Sequence, residues 1–392
     1  MRRRLDSMTV SPLDVSSNLP AGVPAGLSGV VVADTSIGDV RGDEGFFHYR
    51  QYDACDIARA CSFEEAWHLV SVGHLPDADE LAAFRSSVEP HRTVPEQLRP
   101  VIAAVASTGV APLAQLRAVL STAAGPLGIA PLLDLDPDER HAQARRLAAL
   151  VPAVLAALHR EAAGERPVAA DPGLSHVAAY LQAATGTAPE APSTRALEQY
   201  MILTIDHGFN ASTFTGRVVA STGADLIDVV CAALGALSGP LHGGAPGRSL
   251  DALDAIGDPS HAADYVRREV AAGRRIMGFG HAVYRTSDPR SALLREIAEG
   301  LGGELVERAI AVEAEVLTTL AELKPDRPLP SNVEYYAGVV MAAVGLPRSM
   351  FTPTFAVSRT VGWGAHAVEQ AAAGKIIRPS SRYVGPDVVR PR

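Results

Sequence analysis

Three histidines of this chain stand in glycine-rich or polar stretches, and their types suit chemistry at a carbon acid. His207 lies in Asp206-His207-Gly208-Phe209-Asn210-Ala211-Ser212-Thr213, and His242 in Gly239-Pro240-Leu241-His242-Gly243-Gly244-Ala245. His281 lies in Gly278-Phe279-Gly280-His281-Ala282-Val283-Tyr284-Arg285. Imidazole donates a hydrogen bond to a carbonyl oxygen or exchanges a proton near neutral pH. A glycine beside it has no Cβ, so a substrate can approach the backbone. In Ser331-Asn332-Val333-Glu334-Tyr335-Tyr336-Ala337-Gly338, Glu334 adds a carboxylate to an otherwise apolar run. A base for the proton and donors for the enolate oxygen are what carbon-acid chemistry requires.

Other chemistries fit these residues less well. The three histidines offer no short chelating pair, and no cysteine accompanies them, which opposes a metal centre. No Gly-Lys-Ser/Thr follows Gly278-Phe279-Gly280, and the strand-then-helix context of a dinucleotide loop is missing. Each residue alone also has a plain structural explanation. His242 can cap a helix end, His207 can satisfy nearby backbone late in a helix, and Arg359 and Arg378 can be solvated surface cations. His366 and Glu369 read as packing and helix-face residues, as do His68, His74 and His91.

In order and wording, the four segments resemble the citrate synthases. The likeness reaches Gly26-Leu27-Ser28-Gly29-Val30-Val31 and Tyr49-Arg50-Gln51-Tyr52-Asp53 near the start. It also takes in Ser358-Arg359-Thr360-Val361-Gly362-Trp363 and Arg378-Pro379 near the end, with weaker wording between Glu89 and Pro192. The resemblance implies condensation of acetyl-CoA with oxaloacetate to give citrate and free CoA, the work of an acyltransferase that converts the acyl group to alkyl on transfer. It implies that His242 hydrogen-bonds the thioester carbonyl and stabilises the enol. His281 would polarise the oxaloacetate ketone and protonate the alkoxide formed there. His207, Arg290 and Arg359 would hold oxaloacetate, with Arg378 reaching it across a homodimer interface, and Arg285 would hold the CoA phosphates. Guanidinium grips a carboxylate through two parallel hydrogen bonds, which lysine cannot reproduce. No tightly bound cofactor is implied, acetyl-CoA being a co-substrate. One departure stands out: the family's catalytic carboxylate is normally an aspartate, and here it is Glu334. Two alternatives remain open. Propionyl-CoA could replace acetyl-CoA to give 2-methylcitrate, because one methylene changes binding by only about 1–3 kcal/mol. Or the chain could be a ligand-binding protein whose catalysis is weakened by Glu334.

The elements that must position these residues are mostly helices. Ser62-Phe63-Glu64-Glu65 has the wording of a capping box, and Gly73 and Pro76 stop the helix it opens. Helices are predicted to open at Pro95 and Pro112, and a long one near Asp136-Pro137-Asp138-Glu139. Another is predicted from about Asp225 to Leu237. The segments Gly29 to Asp34 and Phe46 to Tyr49 are the best strands and are expected to pair as a hairpin. Pro167 to Ser175 and Thr185 to Ser193 read as loops. The run Ser238 to Gly247 opposes regular helix through its glycines and prolines, and a second break falls at Gly345-Leu346-Pro347. The expectation is a mainly α, two-domain helical fold with a small N-terminal β hairpin. Residues 26–243 and 346–392 would form the large domain and 244–345 the small one, after a disordered tail over 1–25. Glycines beside His242 and His281 would serve as hinges for closure.

Composition bounds the rest. A chain of 392 residues can bury a large core, and 47% hydrophobic with 20% charged residues describes an ordinary globular protein. A net charge of −9 argues against a nucleic-acid partner. No apolar run approaches the roughly 18 residues that span a bilayer. The basic Met1-Arg2-Arg3-Arg4 leads into no apolar stretch, so a secretory signal is not expected. Cys55, Cys61 and Cys231 form neither a disulfide framework nor a zinc motif, and a cytoplasmic setting is expected.

Overall fold

The computed structural model describes residues 23–27, 29–169, 171–239, 242, 245–281, 283–284, 287–386 and 388. The expected tail falls almost wholly outside them. The chain divides into two compact units, Met1–Ser36 and Ile37–Arg392. In the described part of the first, Ala25–Leu27 form a 3-10 turn, and the Leu27 N–H donates to the Pro24 carbonyl. The strand expected over 29–34 is absent: these residues adopt no ladder, and Val31 is 87% exposed. Valine-rich wording raises β propensity, but propensity without a partner edge makes no strand.

The sheet belongs to the second unit. Strands β1 (Gly38–Arg41), β2 (Phe46–Tyr49) and β3 (Tyr52–Asp53) run antiparallel in the order β1-β2-β3, with Val40 opposite Phe47 and Gly38 opposite Tyr49. Period-two alternation buries Phe47 and Tyr49 on one face of β2. The hairpin is thus real, but its first strand is β1.

Beyond the sheet the chain is mostly helical. Asp53 caps α1 (Ala54–Ala60). The Ser62–Glu65 capping box opens α2 (Phe63–Val72), and Gly73 closes it in the left-handed conformation, as its wording predicts. A second capping box, Asp77 with Glu80, opens α3 (Ala78–Val88). Pro95 leads into a short 3-10 turn and then α4 (Arg99–Ala106), while Pro112 opens α5 (Pro112–Leu120), with the short α6 (Ala124–Leu127) after it. Asp136 caps the long α7 (Pro137–Ala162), whose stripe from Leu147 to Leu158 is buried. Then come α8 (His176–Thr185) and α9 (Ala191–Thr204). The latter begins inside the expected loop, because Pro192 stands in its first turn, where a missing N–H costs nothing.

Asn210 caps α10 (Ala211–Ala220) and Asp225 caps α11 (Leu226–Leu237). Helix α12 (Ala245–Ile256) starts within the Ser238–Gly247 run, so that run ends sooner than its composition suggests. After α13 (Ala262–Ala271), α14 (Pro289–Leu301) and α15 (Glu304–Leu323) come α16 (Val333–Ala343) and α17 (Phe351–Ala373). Helix α17 is buried along most of its length and packs on α7, α10 and α11. Helices α12, α14 and α15 gather around α16, and α13 lies on α15. Among the described residues no single helix is long and apolar enough to cross a membrane.

Candidate active site

Two loops, sewn together by backbone, carry His281 and Glu334. Gly280 N–H donates to the Pro330 carbonyl at 2.7 Å, Asn332 N–H to the Gly278 carbonyl at 2.9 Å, and Asn332 Nδ2 to the Gly280 carbonyl at 2.8 Å. The seam demands glycine. Gly278 has φ +86° and Gly280 φ +79°, and a Cβ on either would stand 2.9 Å from Tyr335 or Leu329. Asn332 also caps α16, its Oδ1 accepting the Glu334 N–H at 3.0 Å. The carboxylate is therefore held in the first helical turn, beside the loop that holds the histidine.

Asp288 fixes the third component. It caps α14, accepts the Val333 N–H at 3.1 Å, and binds Arg290 through Nε at 3.0 Å and Nη2 at 2.9 Å. Sequence reasoning missed it, although an Asp before Pro289 is a helix-start signature. Burial opposes the Asp288 charge, but Arg290 outweighs it and holds the carboxyl below its usual range. Arg290 itself is 3% exposed, and its Nη1 makes no protein hydrogen bond among the described residues.

His281 Nδ1 accepts the backbone N–H groups of Val283 and Tyr284, at 2.9 and 3.0 Å. The neutral ring then carries its proton on Nε2. Burial, followed by the Arg290 charge, keeps its pKa below the ordinary histidine value. Arg290 Nη2 lies 3.4 Å from that Nε2. Two donors side by side define a place for an oxygen that carries or gains negative charge.

His207 completes this corner. Its ring lies 6.2 Å from that of His281, and its Nε2 is 2.9 Å from the Tyr284 hydroxyl. Burial first, then Arg290 and Arg359, push its pKa well down, so it is neutral. Below it, Asp206 accepts the Gly208 N–H at 3.1 Å and His366 Nε2 at 3.1 Å, while Arg217 donates to His366 Nδ1 at 3.0 Å. His366 is a packing residue, as expected, and also braces the turn that presents His207. Burial works against the Asp206 charge, but His366 and Arg359 hold its pKa below the usual value.

Arg359 is almost wholly buried on α17. Its Nε donates to the Thr204 carbonyl at 2.8 Å and its guanidinium sits 4.6 Å over the Phe355 ring. Its terminal amino groups make no protein hydrogen bond among the described residues. Two buried guanidiniums with spare donors suit a ligand that brings its own negative charge, since burying unpaired charge costs several kcal/mol.

His242 Nε2 meets Ser212 Oγ at 2.8 Å, and that oxygen is also 2.8 Å from Asn210 Oδ1. The hydroxyl has a single hydrogen. Asn210 Oδ1 can only accept, so it takes that hydrogen, and His242 Nε2–H donates to Ser212 Oγ, which leaves the lone pair on Nδ1. Burial, then Arg359, lowers the His242 pKa to about 4, so the ring is neutral. Glu334 moves the other way. Burial is the main cause and Asp288 a minor one; against Arg290, they raise its pKa to about 7. Its carboxylate has no protein hydrogen bond among the described residues.

Not every expected residue joins the cluster. Arg378 lies beyond the end of α17, exposed, and among the described residues it makes no hydrogen bond or ion pair to the other site residues. Arg285 falls outside the described residues.

The neutral His281 donor, a buried carboxylate with a pKa near neutrality and two guanidiniums with spare amino groups thus meet in one place. Comparison with known proteins gives this arrangement its family. The family model for the citrate synthase C-terminal domain matches residues 26–380. The chain belongs to the citrate synthase family. A putative citrate synthase 2 of Mycobacterium tuberculosis is 36% identical over 374 residues, covering 94% of each chain. A 2-methylcitrate synthase of the same species is 35% identical over 388 residues, covering 97% of this chain and 94% of the relative. Among solved structures, the citrate synthase of Thermoplasma acidophilum, in ternary complex with carboxymethyl coenzyme A and oxaloacetate, superposes with a TM-score of 0.86. It is 28% identical, and the match covers 94% of this chain and 97% of that one. In a citrate synthase scaffold, Glu334 then stands where the resemblance expects aspartate.

Proposed function

We propose that this chain is a citrate synthase that joins acetyl-CoA to oxaloacetate, giving citrate and free CoA. The observation that carries the proposal is the pairing of Glu334, a carboxylate with a pKa of about 7, with His281, a neutral Nε2–H donor on the loop sewn to it. A base with that pKa is half ionised at neutral pH, where proton abstraction is most effective. Glu334 takes a methyl proton of the thioester while His242 stabilises the enol oxygen. The enol carbon attacks the oxaloacetate ketone, His281 gives its Nε2 proton to the new alkoxide, and water cleaves the thioester to release CoA. His207, Arg290 and Arg359 hold oxaloacetate, Arg378 reaches it from a second subunit of a homodimer, and Arg285 meets the CoA phosphates. The proposed small domain, residues 244–345, carries His281 and Glu334 and closes on the rest to exclude water from the enol.

The similarity to a 2-methylcitrate synthase keeps propionyl-CoA in view as the second acyl donor. Thiol release at saturating oxaloacetate decides between them. A larger kcat/KM with acetyl-CoA supports citrate synthesis, a larger one with propionyl-CoA makes the chain a 2-methylcitrate synthase, and no release with either overturns both.

A further inference from the structure

His68, His74 and Glu80 lie outside this site, each placed by a helix boundary. His68 is on α2. Gly73 ends that helix at φ +111°, and the turn brings His74 back beside it. Asp77 then caps α3, and the capping box fixes Glu80 at the third helical position. One donor atom from each of the three residues lies within 4.8 Å of the others. His68 is only 6% exposed, and its Nδ1 hydrogen-bonds the His74 carbonyl at 2.9 Å. A carbonyl only accepts, so Nδ1 carries the proton and Nε2 presents a lone pair that takes no protein hydrogen bond among the described residues. His74 Nε2 stands 3.0 Å from Glu80 Oε1, while Glu80 Oε2 receives the Asp77 N–H at 2.9 Å. The two imidazole rings lie 5.1 Å apart at 79°, with Phe84 against His68 at 5.4 Å.

We propose that His68, His74 and Glu80 bind a divalent transition cation, with Zn²⁺ the best match. Two imidazole nitrogens and one carboxylate oxygen are a zinc donor set, and three protein ligands leave a fourth position for water. Magnesium and calcium prefer shells of oxygen. A ligating histidine is typically oriented by donating its other N–H to a carbonyl, as His68 does. Zinc–nitrogen bonds of about 2.0–2.1 Å require the donor atoms to draw closer than they stand. His74 and Glu80 are exposed side chains and can make that move around the buried His68. The cation would clamp the corner between α2 and α3, replacing the His74–Glu80 hydrogen bond as the His74 proton moves from Nε2 to Nδ1.

Zn²⁺ alone, titrated into the full chain against a chromophoric chelator, tests this in the wild type, His74→Ala and Glu80→Gln. Glutamine at 80 preserves the capping box while removing the charged ligand. All other histidines are common to the three proteins, so any binding by them cancels. The wild type is expected to bind one more equivalent than either variant, or to hold its tightest equivalent at least tenfold more tightly. Zinc is also expected to raise the melting temperature of the wild type by more than that of the variants. Equal stoichiometry and affinity in all three proteins would overturn the proposal.

Discussion

At the scale of single residues, the chemistry turns on protons. Glu334 must be ionised to act as the base, so kcat/KM is expected to fall as pH drops below about 7, a pH–rate measurement on the wild type. Its stability consequence has a definite sign. A carboxyl whose pKa is higher folded than unfolded lowers stability as pH rises between the two values, and the full cost stands above the folded one. Glu334→Gln is therefore expected to be more stable than the wild type at pH 8, by at most on the order of 3 kcal/mol, and to lose that advantage near pH 4. Thermal unfolding at both pH values checks this; an equal difference at both would show that Glu334 carries no raised pKa. Ser212→Ala removes the hydroxyl that accepts from His242 Nε2 and holds the ring in place, and kcat should fall by about 10-fold or more with oxaloacetate affinity retained. The histidines and Glu334 were legible in the sequence because each stands in distinctive wording. Asp288, Tyr284 and the hydrogen bonds that choose tautomers were not, since they depend on residues brought together from different elements.

At the scale of elements, boundaries do the positioning. The Asp77–Glu80 and Ser62–Glu65 boxes, the cap at Asn332 and the cap at Asp288 fix where helices begin, and two of these caps hold the site. Asp288→Ala removes both the α14 cap and the partner of a buried guanidinium. The expected loss is about 3–5 kcal/mol of stability, measured by denaturant unfolding, because Arg290 would be left buried without its counter-charge. Capping wording and apolar periodicity are local signals, which is why α2, α5, α7 and α11 could be read in advance. The first strand could not. Val30, Val31 and Val32 have the right residue types, whereas Gly38-Asp39-Val40-Arg41 has a turn that returns it to Phe46. Ala245-Pro246-Gly247 was likewise misread, since helix breakers are tolerated within a first turn.

At the scale of the whole molecule, the mainly helical fold was legible from periodicity and from resemblance together. The proposed sharing of Arg378 between subunits was legible from resemblance alone, because nothing local marks an exposed arginine after α17. Mixing Arg378→Ala with His242→Ala subunits tests it, since a hybrid dimer would hold one site free of both defects. Activity regained on mixing is expected; its absence, with subunit exchange shown independently, would remove Arg378 from the partner's site. The central claim concerns the reaction itself and the base that starts it. The most direct measurement supplies acetyl-CoA labelled in its methyl carbon, together with oxaloacetate, to the wild type and to Glu334→Gln, and follows the label by mass spectrometry. Labelled citrate is expected from the wild type and at least about 10²-fold less from the variant, with oxaloacetate still bound. No labelled citrate from the wild type, or an undiminished yield from Glu334→Gln, would contradict the claim.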